Sequence, residues 1–273
     1  MYYNLHMELV YLNSARNCFR YIIKTFGIKE IYIPYYLCSC LRHIAFAEEC
    51  KINFYHINLD FSPACTFPEN AYILYPNYFG VCSKIVEKLA KIYPNLIVDN
   101  AHSFYAEQSG IASFNSLRKF FPYIRDGALL YINKKASFDI DNDEYTYVPK
   151  TLNYDEICQN ERRIDKLDMK FISETTYKLF KDTDLDLEKA KRKSVFQNLE
   201  KIYNDTNCLD FTLNDEDVPF CYPYLAKSEE DADKLVEKLK NNEITIYRYW
   251  DRMPDSYLES QFYKRLVTIP INH

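Results

Sequence analysis

The chain reads as an α/β protein, with a mostly parallel sheet, helices on both faces and a small α+β unit after it. Three observations predict this. Strand-like and helix-like stretches alternate from residue 13 to about 133. The strand-like stretches are short apolar runs closed by Pro or Asp, as at 31–33 before Pro34 and 96–98 before Asp99. A length of 273 residues at 48% hydrophobic composition supplies a core for one large domain or two modest ones.

Taken in order, Asn13 and Ser14 offer N-caps for an amphipathic run over 15–26, and Gly27 offers its stop. Residues 31–33 form a strand closed by Pro34, and 36–49 carry helical periodicity. Strands follow at 52–57 and 71–75, the second stopped by Pro76. A helix over 81–93 leads to a strand over 96–99. Phe114 marks a short strand and 128–132 a clearer one. The stretch 134–160 is polar and reads as a surface loop, and 161–206 is charged and helical, as one long helix or two. Beyond a polar, acidic loop at 214–217, residues 220–225 read as a strand. Ser228, with Asp231 three positions on, caps a helix over 229–241, and 244–247 reads as a further strand. The expected organisation is a large α/β domain over 1–160, a connecting helical segment over 161–206 and a small α+β domain over 207–273.

Composition narrows the function classes. The net charge is −5 with both signs mixed and no basic stripe, which argues against nucleic acid as a partner. No apolar stretch approaches the roughly 20 residues that span a bilayer, so no membrane is expected. The first ten residues lack the pattern of a secretory leader, and the expectation is a cytoplasmic protein with reduced thiols. The nine Cys are scattered and include no CxxC. Cys38, Cys40 and His43 are the densest group, and their spacing suits side chains on a helix better than a metal site; no metal is expected. With only four glycines there is neither a GxGxxG nor a Walker loop.

Two motifs carry the chemistry. Leu96-Ile97-Val98-Asp99-Asn100-Ala101-His102 reads as a buried strand delivering a carboxylate at its C-terminal edge, where open α/β sheets bind ligands. Ser116-Leu117-Arg118-Lys119, closed off by Asp126-Gly127, follows with an amine. A carboxylate and a reactive Lys are what pyridoxal 5′-phosphate (PLP) needs: the Lys forms a Schiff base, and the acid keeps the pyridine nitrogen protonated. Phe120-Phe121-Pro122 makes the Lys119 surroundings apolar, which favours the neutral amine. Ser14-Ala15-Arg16, at a helix N-terminus, suits a phosphate, as does the Ser116 hydroxyl. Tyr35 and Tyr36, after a strand, could lie over a flat ring. Each residue also has a structural reading: Asp99 and Ser14 as caps, His102 as a hydrogen-bonded core residue, Lys119 as a solvated charge and Ser116 as a turn residue.

In their order along the chain, these segments resemble the DegT/DnrJ/EryC1/StrS family of PLP-dependent sugar aminotransferases, which share the aspartate aminotransferase (type I) fold. Asn13-Ser14-Ala15-Arg16 is similar to the family's phosphate-binding helix start. Pro34-Tyr35-Tyr36-Leu37-Cys38 is similar to its Pro-x-Tyr-Thr-Cys segment, and Pro76-Asn77-Tyr78-Phe79-Gly80 to its strand-to-Tyr-Gly turn. Val98-Asp99-Asn100-Ala101-His102 resembles its Glu-Asp-Ala-Ala-Gln motif, and Asp126-Gly127-Ala128 its Gly-Asp-Gly-Gly. The resemblance implies that Lys119 is the Schiff-base and proton-shuttling Lys, that Asp99 pairs with the pyridinium, and that His102 stands where a Gln contacts the ring hydroxyl. Ser14, Ala15, Arg16 and Ser116 would hold phosphate, and Tyr36 or Cys38 would lie at the ring. It also implies a ping-pong transamination in a homodimer, from glutamate to a nucleotide-linked keto sugar of surface-polysaccharide synthesis. The chain departs from the family in being short, in lacking a Gly-x-Asn-x-Arg segment and in carrying Leu-Arg before the Lys. A non-catalytic homologue and a sugar dehydratase, in which His typically replaces the Lys, are the alternative readings.

Overall fold

Strand pairing organises the molecule, a computed structural model that describes residues 7–146, 154–250 and 253–271. Seven strands form one sheet: β1 (Glu8–Leu12), β2 (Glu30–Pro34), β3 (Lys51–Tyr55), β4 (Ile73–Pro76), β5 (Leu96–Asp99), β6 (Ala112–Phe114) and β7 (Ala128–Ile132). Their spatial order is β1-β7-β6-β5-β4-β2-β3. The five strands from β3 to β6 run parallel, while β7 is antiparallel to both of its neighbours. The helices are α1 (Ala15–Phe26), α2 (Ser39–Ala47), α3 (Ser83–Ile92), α4 (Leu117–Phe120), α5 (Tyr154–Ile164), α6 (Glu174–Lys181), α7 (Leu185–Tyr203), α8 (Glu229–Lys240) and α9 (Ser260–Arg265). A second sheet pairs β8 (Cys221–Leu225) with β9 (Leu266–Pro270).

Side-chain alternation along the strands builds a core on each face of the large sheet. Leu74, Ile97, Phe114 and Leu130 pack with Phe19 and Ile22 of α1 and Leu41 of α2. Ile73, Tyr75, Leu96 and Val98 point the other way, onto Val86 and Leu89 of α3. Each fully buried side chain of this kind contributes about 1.5–3 kcal/mol. The ends of α1 are those the sequence predicts. The Ser14 hydroxyl accepts from Asn17 N, and Gly27 stops the helix at φ 66°, a left-handed conformation glycine adopts without strain.

Other boundaries shift for identifiable reasons. Helical periodicity begins at residue 36, but α2 starts at Ser39, because Leu37 N bonds Tyr35 O and turns the chain first. The expected loop at 134–160 contains the start of α5; residues 147–153 lie outside the described ones. The charged stretch 161–206 holds the end of α5, then α6 and α7. The expected strand at 244–247 is reduced to one bridge, Tyr247 to Thr268, because β9 takes the place beside β8.

Candidate active site

The parallel register brings the strand ends level. Pro76 pairs with Asp99, and Asp99 with Phe114, so the chain leaves β4, β5 and β6 at one edge. The start of α1 and the start of α2 face that same edge, and a cavity opens between them. Asp99 and Lys119 line it together with Ser14, Ala15, Arg16 and Ser116. Cys38 and Cys40 form its wall on the α2 side, and Asp126, Gly127 and Ile164 complete the lining.

The two central groups are electrostatically poised. Asp99 and Lys119 open partly to the cavity and are enclosed by protein on their other sides. Burial pushes the Asp99 carboxyl up to about 6, against the pull of the Lys119 charge and a 2.8 Å hydrogen bond that Asp99 Oδ1 accepts from Ala101 N. Burial also lowers the Lys119 amine, and neighbouring Arg118 adds to the effect, while Asp99 and Cys38 oppose it. His102 Nε2 lies 2.8 Å from Lys119 Nζ. Its ring is stacked on Phe220 at 4.6 Å with planes 7° apart, and Trp250 lies parallel at 6.0 Å. Burial, with the Lys119 charge next, holds His102 well below its usual range, so the neutral imidazole can accept from the amine.

Tight backbone packing fixes that imidazole. Gly80 has φ 78°, and a Cβ there would stand 2.5 Å from the His102 carbonyl oxygen. The Tyr78–Gly80 turn can press on the His102 backbone only with glycine at its end.

The phosphate-type end is equally defined. Ser14 is buried as the α1 cap, and Ser116 is buried at the N-cap of α4 without making a capping bond. Arg16 pairs through Nη2 with Asp165 at 3.1 Å and Glu161 at 3.5 Å. Its Nε and Nη1 are buried with no hydrogen-bond partner among the described residues. Buried donors of this kind suit an anion.

Eight of the nine residues singled out from the sequence therefore meet here: seven line the cavity and His102 touches Lys119. Tyr36 does not reach the cavity. It is 1% exposed and packs in the aromatic core against Trp250 at 4.6 Å and Phe262 at 4.8 Å, because the turn before α2 points it away from Cys38. Sequence reasoning missed Cys40, Arg118, Glu161 and Ile164 as site components. Arg118 and Asp126 stood within the quoted motifs. Glu161 had no such signal: it stands at the start of the stretch expected to be helical, in α5, and binds Arg118 across 43 positions of sequence.

No family model matches the chain, and no curated protein matches it. Solved structures do. The chain is similar to a DegT DnrJ EryC1 StrS aminotransferase from Brucella abortus, at 12% identity and TM-score 0.59, over 97% of this chain and 81% of that one. It is similar to Helicobacter pylori PseC, an aminotransferase involved in the biosynthesis of pseudoaminic acid, at 16% identity and TM-score 0.59, over 96% of this chain and 81% of that one. It is also similar to NtdA from Bacillus subtilis with bound cofactor PMP, at 12% identity and TM-score 0.64, over 97% of this chain and 69% of that one. This likeness establishes the fold: the chain has the α/β architecture of the PLP-dependent aminotransferases, as the sequence predicts. Among the described residues, no helix is long and apolar enough to cross a membrane.

Proposed function

We propose that this chain is a PLP-dependent aminotransferase of the DegT/DnrJ/EryC1/StrS type. Its substrate in this reading is a keto group on a nucleotide-linked sugar, and glutamate is the amino donor. The observation that carries the reading is the convergence of Asp99, Lys119, Ser116 and the α1 N-terminus on one cavity. The donor set fits the cofactor: a cation with unpartnered buried nitrogens (Arg16) and two buried hydroxyls for its phosphate, a carboxylate for its ring nitrogen and an amine for its aldehyde. The aminotransferase structures and the PMP-bound one, PMP being the aminated form of PLP, support the same reading.

When bound, PLP supplies an electrophilic carbon and a ring that takes up electron density. The chain's own groups do the rest. Lys119, kept toward its neutral form by burial and by Arg118, is available both as nucleophile and as proton carrier. His102 Nε2, 2.8 Å from its Nζ, holds the amine in place. Asp99, near 6 when unpaired, is ionised at neutral pH once a cationic ring nitrogen faces it. Ser14, Ser116 and Arg16 anchor the phosphate, aided by the α1 dipole.

In this reading residues 1–160 form the cofactor-holding domain, 161–206 the connecting helices and 207–273 the smaller domain. In the same reading the protein acts in the cytoplasm as a homodimer, in surface-polysaccharide synthesis. The test is a half-reaction. PLP-loaded protein mixed with L-glutamate should release 2-oxoglutarate and PMP in equal amounts. A loaded protein that releases no keto acid from any amino donor would overturn the assignment.

A further inference from the structure

The wall of the cavity formed by α2 holds chemistry that transamination does not use. Cys38 is the N-cap of α2 and Cys40 lies one residue beyond Ser39, so both thiols sit in the first turn of a nine-residue helix. Cys38 Sγ and Cys40 Sγ are 2.9 Å apart. A disulfide needs about 2.05 Å, so the pair has only about 0.9 Å left to close. Both side chains are partly exposed, through the cavity they line, whereas Cys18, Cys50, Cys82 and Cys221 are buried.

We propose that Cys38 and Cys40 form a redox-active dithiol, with Cys38 as the attacking sulfur and a low-molecular-weight disulfide as its reaction partner. The electrostatic setting is that of reactive cysteines. The α2 N-terminus is positive, and Lys119 and Arg16 act on the pair from α4 and α1. Asp99 is the opposing charge in the same cavity. The hydrogen bond between the two sulfurs, more than any other cause, holds the Cys38 thiol below its ordinary range; the same bond with burial holds Cys40 above it, against the pull of Arg16. Cys38, at the N-cap itself, stands nearest the positive end of α2 and is the attacking sulfur, with Cys40 resolving. A metal is the lesser reading, because no group of three His, Cys, Asp or Glu side chains gathers around an ion-sized space among the described residues.

The reaction balances as thiol–disulfide exchange. Cys38 thiolate attacks one sulfur of the disulfide, whose S–S bond breaks, and one thiolate leaves. Cys40 gives its proton to that leaving thiolate and attacks the Cys38 sulfur. The second thiol leaves after taking the proton that Cys38 had released. The two protein thiols are oxidised by two electrons, and the external disulfide is reduced to two thiols. Oxidation removes a negative sulfur that favours the charged form of Lys119, so the amine is driven further toward its neutral form.

Trypsin isolates the pair, since the peptide 30–42 contains Cys38 and Cys40 and no other cysteine. Full-length protein is treated with iodoacetamide at mildly acidic pH and digested. Cys38 should be alkylated about tenfold faster than the exposed Cys65, the difference expected when thiolate fraction outweighs lower intrinsic nucleophilicity. With oxidised glutathione, peptide 30–42 should become lighter by two hydrogens and return to its original mass with dithiothreitol. Cys40→Ser, checked for native circular dichroism, should stop at a glutathione adduct on Cys38. Equal alkylation of Cys38 and Cys65, a peptide that stays reduced, or a folded Cys40→Ser protein without the adduct would each overturn the proposal.

Discussion

Two carboxylates line the cavity, and they are built differently. Asp126 is 2% exposed; Arg163 Nη2 donates to it at 2.7 Å and Thr176 Oγ1 at 2.6 Å. Burial raises its pKa, and those two partners pull it back. Asp99 has one backbone donor and, among the described residues, no side-chain donor, and it sits at about 6 beside Lys119. The difference teaches where chemistry can reside. A carboxylate whose oxygens are occupied by its own chain holds helices together; one left with spare acceptor capacity beside an amine is available to a ligand.

Substitution should separate the two carboxylates. Asp99→Asn should lower turnover by about 100-fold or more, the scale of losing a preorganised charge partner, with the protein still folded. Unaltered kcat would move Asp99 to the structural class. Arg163→Ala should do the reverse: it leaves the Asp126 carboxyl buried beside Thr176 alone and should cost about 3 kcal/mol, read as a lower urea midpoint.

The pH dependence sharpens the contrast. With the Asp99 carboxyl near 6 in the folded chain and about 3.9 unfolded, the folded state holds the extra proton between those values. Unfolding free energy therefore falls as pH rises through that window. In cofactor-free protein, Asp99→Asn should be more stable than the parent by about 3 kcal/mol at pH near 7.5, with the gain vanishing below about pH 4. A gain that persists in acid would exclude this origin.

The smallest effects compare two helix caps. Ser14 caps α1 at the site, and Ser173 caps α6 beside Thr176. Each Ser→Ala change should cost about 1 kcal/mol of stability. Only Ser14→Ala should also weaken PLP affinity; equal affinity losses from both would remove Ser14 from the phosphate site.

How much of this was legible in the sequence depends on what holds each element. Runs stabilised by apolar burial, such as 96–99 and the capped helix α1, carry their own signature, and their positions were readable. Helix α5 is different. Its tertiary ties are ionic, Glu156 with Arg125, Glu161 with Arg118 and Arg163 with Asp126, and no hydrophobic periodicity announces partners that distant in sequence. Its first part was therefore read as loop, and its Glu161 and Ile164 were absent from the expected site. Strands β1 and β9 also went unread. The first is five residues with two exposed, and the second becomes a strand only because β8 offers an edge. That Asp99, Ser116 and Lys119 share one cavity was legible because they stand near ends of local elements, where sequence position alone fixes the edge they face. Tyr36 failed that test, since a single turn decides which way it points.

The central claim is that Lys119 is the residue that joins PLP. Protein incubated with PLP, reduced with borohydride and digested should yield one phosphopyridoxyl-modified peptide, carrying Lys119, and the visible absorbance of the loaded protein should bleach in the same step. Lys119→Ala should give neither the band nor the peptide. A parent protein that takes up no PLP, or one labelled equally well when Lys119 is replaced, would contradict the account.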